Sequence, residues 1–78
     1  MDLQKAIQLR ILNLCKEHNI SVNKLATLAG VRQSTIRDIV VGDSKKVQTL
    51  TILRICLGLN MQLKDFFDDE MFIDLDDE

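Results

Sequence analysis

Gln33, Ser34, Arg37 and Asp38 sit at i, i+1, i+4 and i+5, so on a helix they share one side. Their chemistry is that of hydrogen-bond readers. A Gln amide matches the N6 and N7 of adenine, an Arg fork matches the O6 and N7 of guanine, and an Asp accepts from the N4 of cytosine. Val41 falls on the same side, while Ile36, Ile39 and Val40 repeat at i, i+3 and i+4 and supply a buried side. A second short helix must come just before. Ser21 is a good N-cap for a helix beginning at Val22, and Leu25, Ala26, Leu28 and Ala29 form a core-facing stripe. The small Ala26 suits a close crossing after a three- or four-residue turn. Gly30 fits the position just past the helix end, where a positive φ is required, with Val31 tucked under the turn. Gly42 closes the second helix. Two short helices joined at a glycine, the second with a polar outward face, form a layout for reading duplex DNA.

The residues Leu25-Ala26, Gly30-Val31, Ser34-Thr35-Ile36, Ile39 and Gly42 resemble the Cro/C1-type (XRE family) helix-turn-helix regulators of phages and bacteria, over about residues 9 to 67. The run from Thr51 to Phe67 is similar to that family's fourth helix, turn and short fifth helix. The resemblance implies an all-α fold: a compact bundle of five short helices, a lambda-repressor-like DNA-binding domain spanning residues 1–67; the composition of residues 68–78 makes them an acidic C-terminal tail. It also implies how the domain docks. Helix 3, about residues 32–41, enters the major groove with its N-terminal part nearest the base edges, making Gln33, Ser34 and Arg37 the base-contact candidates. Asp38 is either a fourth or a solvated acid beside Ser34 and Arg37. Arg32, Lys24, Lys45 and Lys46 are placed to meet phosphates, which adds affinity without sequence preference; for Lys45 and Lys46 an ordinary solvated loop is the alternative. Lys5, Arg10, Lys16, Arg54 and Lys64 read as solubility charges.

The chain departs from the family pattern at several positions. Where many members carry a buried Arg–Glu pair between helix 1 and the end of helix 3, it has Cys15 and Val40. Replacing both partners by apolar residues costs little, whereas losing one is expensive, so the double change supports the alignment. Arg32 replaces the usual capping Ser and cannot accept an amide proton. Val22 replaces a phosphate-contacting Gln, so that contact does not carry over. Val47 stands where a Pro usually precedes helix 4, and the chain has no proline.

Seventy-eight residues make one small domain. No run reaches the length of a membrane span, and Met1-Asp2-Leu3-Gln4-Lys5 is not a signal peptide; a cytoplasmic protein without membrane contact is expected. The net charge of −2 hides a division. Residues 1–64 hold all ten bases against four acids, a net +6; residues 65–78 hold eight acids and no base, a net −8. A basic body suits a polyanion, and the acidic tail is expected to compete with DNA for it.

Helix 1 is expected over about 3–18, with Ile7, Ile11, Leu14 and Cys15 inward and Leu9 and Leu12 widening the apolar side. Helix 4 is expected from about 48 or 49 to 59, with Leu50, Leu53, Cys56 and Leu57 inward and Asn60 as a left-handed cap. Phe66 and Phe67 either close the core or join a dimer contact. The tail mixes acids with Met71, Phe72, Ile73 and Leu75, so a short docked helix and a mobile end are both open.

An enzyme is not expected. There is one His, no carboxylate pair in a cleft, no glycine-rich phosphate loop and no nucleophile beside a base. Two cysteines and one His are too few for a closed metal site, and no cofactor is expected. Without Trp, Tyr or a Phe in the basic body, nothing there stacks a single-stranded base. The expected function is a double-stranded DNA-binding transcriptional regulator, a repressor acting as a homodimer on an operator. The alternative is a protein-interaction module on the same fold, an antitoxin-like partner or adaptor without DNA readout, engaging a protein through the acidic tail.

Overall fold

A computed structural model describes residues 1–44 and 46–77. Their regular structure consists of α1 (Leu3–Glu17), α2 (Val22–Ala29), α3 (Gln33–Val40), α4 (Thr49–Gly58), α5 (Leu63–Phe66) and one 3₁₀ turn at Glu70–Phe72. The fold is all-α, in a body of 31 × 24 × 21 Å. No helix among the described residues is long and apolar enough to cross a membrane.

Local chemistry sets the helix ends. The Asp2 carboxylate accepts from the Lys5 amide at 2.8 Å and starts α1; the Ser21 hydroxyl accepts from the Lys24 amide at 3.0 Å and starts α2. Gly30 adopts φ 70°, ψ 32°, and its N–H closes on Ala26 and Thr27. Asn60 takes φ 57° after α4, as expected of a left-handed cap. Arg32 occupies the N-cap position of α3 with extended backbone and gives no side-chain capping bond.

Ile7, Ile11, Leu14 and Cys15 of α1 meet Leu25, Ala26 and Ala29 of α2, Ile36 and Ile39 of α3, Ile52, Ile55 and Cys56 of α4, and Phe66 of α5 in one core. Val40 and Val22 pack against its edge. The substituted pair Cys15 and Val40 therefore both serve apolar packing.

Three expectations are overturned. Leu28, expected on the core-facing stripe of α2, is exposed; of that stripe Leu25, Ala26 and Ala29 alone face the core. The inward face of α4 is Thr51, Ile52, Ile55 and Cys56, while Leu50, Leu53 and Leu57 are exposed. Helix 4 is apolar on both sides, so a 3.6-residue period fits two phases, and the tighter β-branched face won the core. Its close approach to α2 lies at Gly58, where an added Cβ would stand 2.6 Å from the Leu28 carbonyl oxygen. Arg10 is the third correction: it is buried, not a solubility charge. Its Nε donates to the Phe66 carbonyl at 2.7 Å and a terminal amino group donates to the Asp65 carbonyl at 2.9 Å. Its guanidinium lies 3.7 Å from the Asp69 carboxylate and 4.0 Å from that of Glu17.

The residues after α5 fold back along α1. Phe66, Phe67 and Phe72 form a ring cluster with centroids 5.0, 6.1 and 5.1 Å apart, and the Asp76 amide donates to the Met1 carbonyl at 3.0 Å. Phe66 is in the core, whereas Phe67 remains partly exposed.

Candidate nucleic-acid interface

The frame that holds α3 is built from three sides. Ile36 and Ile39 anchor it in the core, the Gly30 turn fixes its start against α2, and the Gln8 side-chain amide of α1 donates to the Val40 carbonyl at its end. The Asp38 carbonyl accepts from the Asp43 and Ser44 amides at 2.9 and 3.1 Å, which turns the chain back after Gly42. The last carbonyls of the helix are thus occupied by the protein itself.

On this frame Gln33, Ser34, Arg37 and Asp38 are all exposed, on the side opposite Ile36 and Ile39. The structure brings these four side chains to one face. No side-chain hydrogen bond or ion pair is found for them among the described residues, so their donors and acceptors face solvent. Val41, 58% exposed, extends the same face by a turn and offers a methyl surface of the kind that fits the thymine methyl.

Arg32 is exposed at the start of the face, Lys24 is exposed in the first turn of α2, and Lys46 is exposed in the segment after α3. Lys45 lies outside the described residues. A groove beside the α3 N-terminus is lined by Gly30, Val31, Arg32, Thr35, Gln48, Thr51 and Arg54. Arg54 is therefore a cation of this face that sequence reasoning assigned to general solubility. Its signal was tertiary: α4 had to be placed beside the helix 2–3 turn before Arg54 could be seen near Arg32. Another groove runs from Thr35 and Ile39 to Ser44, Lys46, Val47 and Gln48. Cations thus border both ends of the polar face of α3.

Among the described residues no group of His, Cys, Asp and Glu is arranged to hold a metal ion. Cys15 and Cys56 are packed in the core, and burial raises both thiol pKa values above the ordinary 9.0.

The family model of the Cro/C1-type helix-turn-helix DNA-binding domain matches residues 10–71, from within α1 into the 3₁₀ turn. No curated protein matches the chain. The chain is similar to a solved structure described as the crystal structure of the prophage Lp1 protein 11, with 30% sequence identity and a TM-score of 0.81, covering 96% of this chain and 100% of that one. With helices 2 and 3 joined at the left-handed Gly30, a solvent-facing polar side on α3 and a family match over most of its length, the chain belongs to the Cro/C1-type helix-turn-helix DNA-binding domain family.

Proposed function

We propose that this protein is a transcriptional repressor that reads duplex DNA by inserting α3 into the major groove, as a homodimer on an operator with half-sites about 34 Å apart. The observation that carries the reading is the face of α3. Gln33, Ser34, Arg37 and Asp38 contact base edges; Arg32, Lys24 and Lys46, with Lys45 in the same loop, contact phosphates. Arg54 joins the phosphate set. Residues 1–67 form the DNA-binding domain, and 68–78 an acidic tail.

Fluorescence anisotropy with duplexes selected from a random pool tests it. Affinity falls steeply with salt, with a log–log slope of about −0.9 per neutralised phosphate, and a flat response rejects the proposal. The second reading, a protein-interaction module, draws on the acids of the tail and the exposed Ile73. Alanine at Arg32, Gln33 and Arg37 separates the two: activity unchanged by the triple substitution favours the interaction module.

A further inference from the structure

Two helix N-termini meet at one groove, lined by Arg32 and Thr35 from the start of α3 and by Gln48, Thr51 and Arg54 from the N-cap and body of α4. Neither helix has a side-chain cap. Arg32 and Gln48 hold the N-cap positions with extended backbone and make no capping bond, so the amides of Gln33 and Ser34, and of Thr49 and Leu50, have no acceptor among the described residues. Helix ends in this state carry partial positive charge. Thr51 is an independent observation. It is only 9% exposed, and its hydroxyl makes no hydrogen bond among the described residues. A buried hydroxyl without a partner is unfavourable, yet this one is not sealed in: it opens on the groove. Arg32 and Arg54 are exposed, neither is paired with an acid among the described residues, and no acid is found in the lining.

We infer that this groove is a site for a single phosphate group, with the Thr51 hydroxyl and the Arg54 guanidinium as its specific ligands and the amides that open α3 and α4 as its positive walls. The inference deepens the reading of Arg32 and Arg54 as phosphate contacts, and it rests on that reading only for the phosphate of a duplex. Donor chemistry selects the ligand. Unbonded amides at two helix ends, two guanidinium forks and a hydroxyl supply more donors, from more directions, than the two oxygens of a carboxylate can use, whereas a tetrahedral oxyanion has acceptors enough to meet them. A lining without carboxylates offers nothing to a cation. Thr35, half-buried on the same wall, ties the groove to α3 one turn before the end of the exposed polar set. A phosphate held here therefore sets where α3 lies and carries no base preference of its own.

Amide NMR of the full chain, titrated with inorganic phosphate at constant ionic strength, tests the site without DNA. Saturable shifts are expected at Gln33, Ser34, Thr49 and Leu50, and not when chloride replaces phosphate. Thr51→Val, which removes the hydroxyl and keeps the shape, and Arg54→Gln each weaken phosphate binding about tenfold; Lys64→Gln, an equal loss of charge at an exposed position of α5, keeps the wild-type curve. Thr51→Val also keeps or raises Tm, since no protein acceptor is lost. A marked fall in Tm would make the hydroxyl a structural group and overturn the inference. Anisotropy then separates the sources of the phosphate. If inorganic phosphate does not saturate the site, an equal loss of affinity by Thr51→Val on a selected and a scrambled duplex assigns it to the DNA backbone and supports it. Equal shifts in chloride, which mean an adventitious ion only, or a Thr51→Val variant that behaves as wild type towards both phosphate and duplex, overturn it. A chain that binds phosphate but no duplex leaves this site standing and removes the operator.

Discussion

At the scale of single residues, the exposed polar side chains of α3 and the buried polar groups obey opposite rules. Gln33, Ser34 and Arg37 were legible because their place on α3 follows from the spacing of Ile36 and Ile39, and the capping by Ser21 and Gly30 was legible because each is a local matter of a few bonds. Arg10 was not legible. Its partners are backbone carbonyls more than fifty residues away, and no spacing rule marks an arginine whose acceptors arrive from α5. Arg10→Met leaves the Phe66 and Asp65 carbonyls without their donor and Asp69 without its counter-ion, and is expected to cost about 2–4 kcal/mol. Thermal unfolding reads this as a fall in Tm of at least about 8 °C. The thiols make a separate prediction. Burial favours the neutral form of Cys15 and Cys56, so the folded state holds these protons to higher pH than the unfolded chain. Their contribution is complete below the ordinary thiol value and is lost as pH rises through the raised one. The denaturant midpoint of the wild type therefore falls more between about pH 8 and about pH 10 than that of a Cys15→Ala/Cys56→Ala variant.

At the scale of elements, α2 and α3 were readable from sequence and α4 was readable only in extent. Thr49–Gly58 contains a single charge, Arg54, and leucine or isoleucine on both sides, so periodicity admits two phases and only packing chooses between them. Ile52 and Ile55 fill the core, and the leucines that a simple stripe would send inward are left on the surface. Gly58 shows why the choice is firm. An added Cβ there would press on the Leu28 carbonyl and the Ala29 amide, whereas at Gly30 nothing lies within 4 Å and the left-handed backbone is the whole difficulty. Gly30→Ala is expected to cost about 1–2 kcal/mol. Gly58→Ala, which must push α4 off backbone and not off a flexible side chain, is expected to cost about 1–3 kcal/mol. The second change also shifts amide chemical shifts along α2, which a purely conformational cost at Gly30 would not do beyond the turn. Equal, local shift changes for both variants would contradict the packing account.

At the scale of the molecule, the division of charge along the chain is not a division in space. Asp69 approaches Arg10, and Asp76 meets the start of α1, whose residues Gln4, Lys5 and Gln8 line a groove shared with Gly42, Ser44 and Val47. Asp76 of the tail is thus held at the N-terminal end of α1, whose first turns border that groove, a placement that charge counting alone could not give. Asp74→Asn with Asp77→Asn, both exposed, is expected to tighten DNA binding at low salt by less than about 1 kcal/mol per charge, an effect that fades as salt rises; unchanged affinity at low salt would remove the competition. The central claim is that the polar face of α3 reads bases. It is tested most directly by anisotropy titrations of wild type and Arg37→Ala on a selected duplex and on a scrambled one. The account predicts that Arg37→Ala loses about 1–3 kcal/mol on the selected duplex, keeps its affinity for the scrambled one within the small change expected of one lost cation, and relaxes preference at one base position. Equal loss on both duplexes would make Arg37 a phosphate contact, and no loss on either would contradict the reading of α3 as the recognition helix.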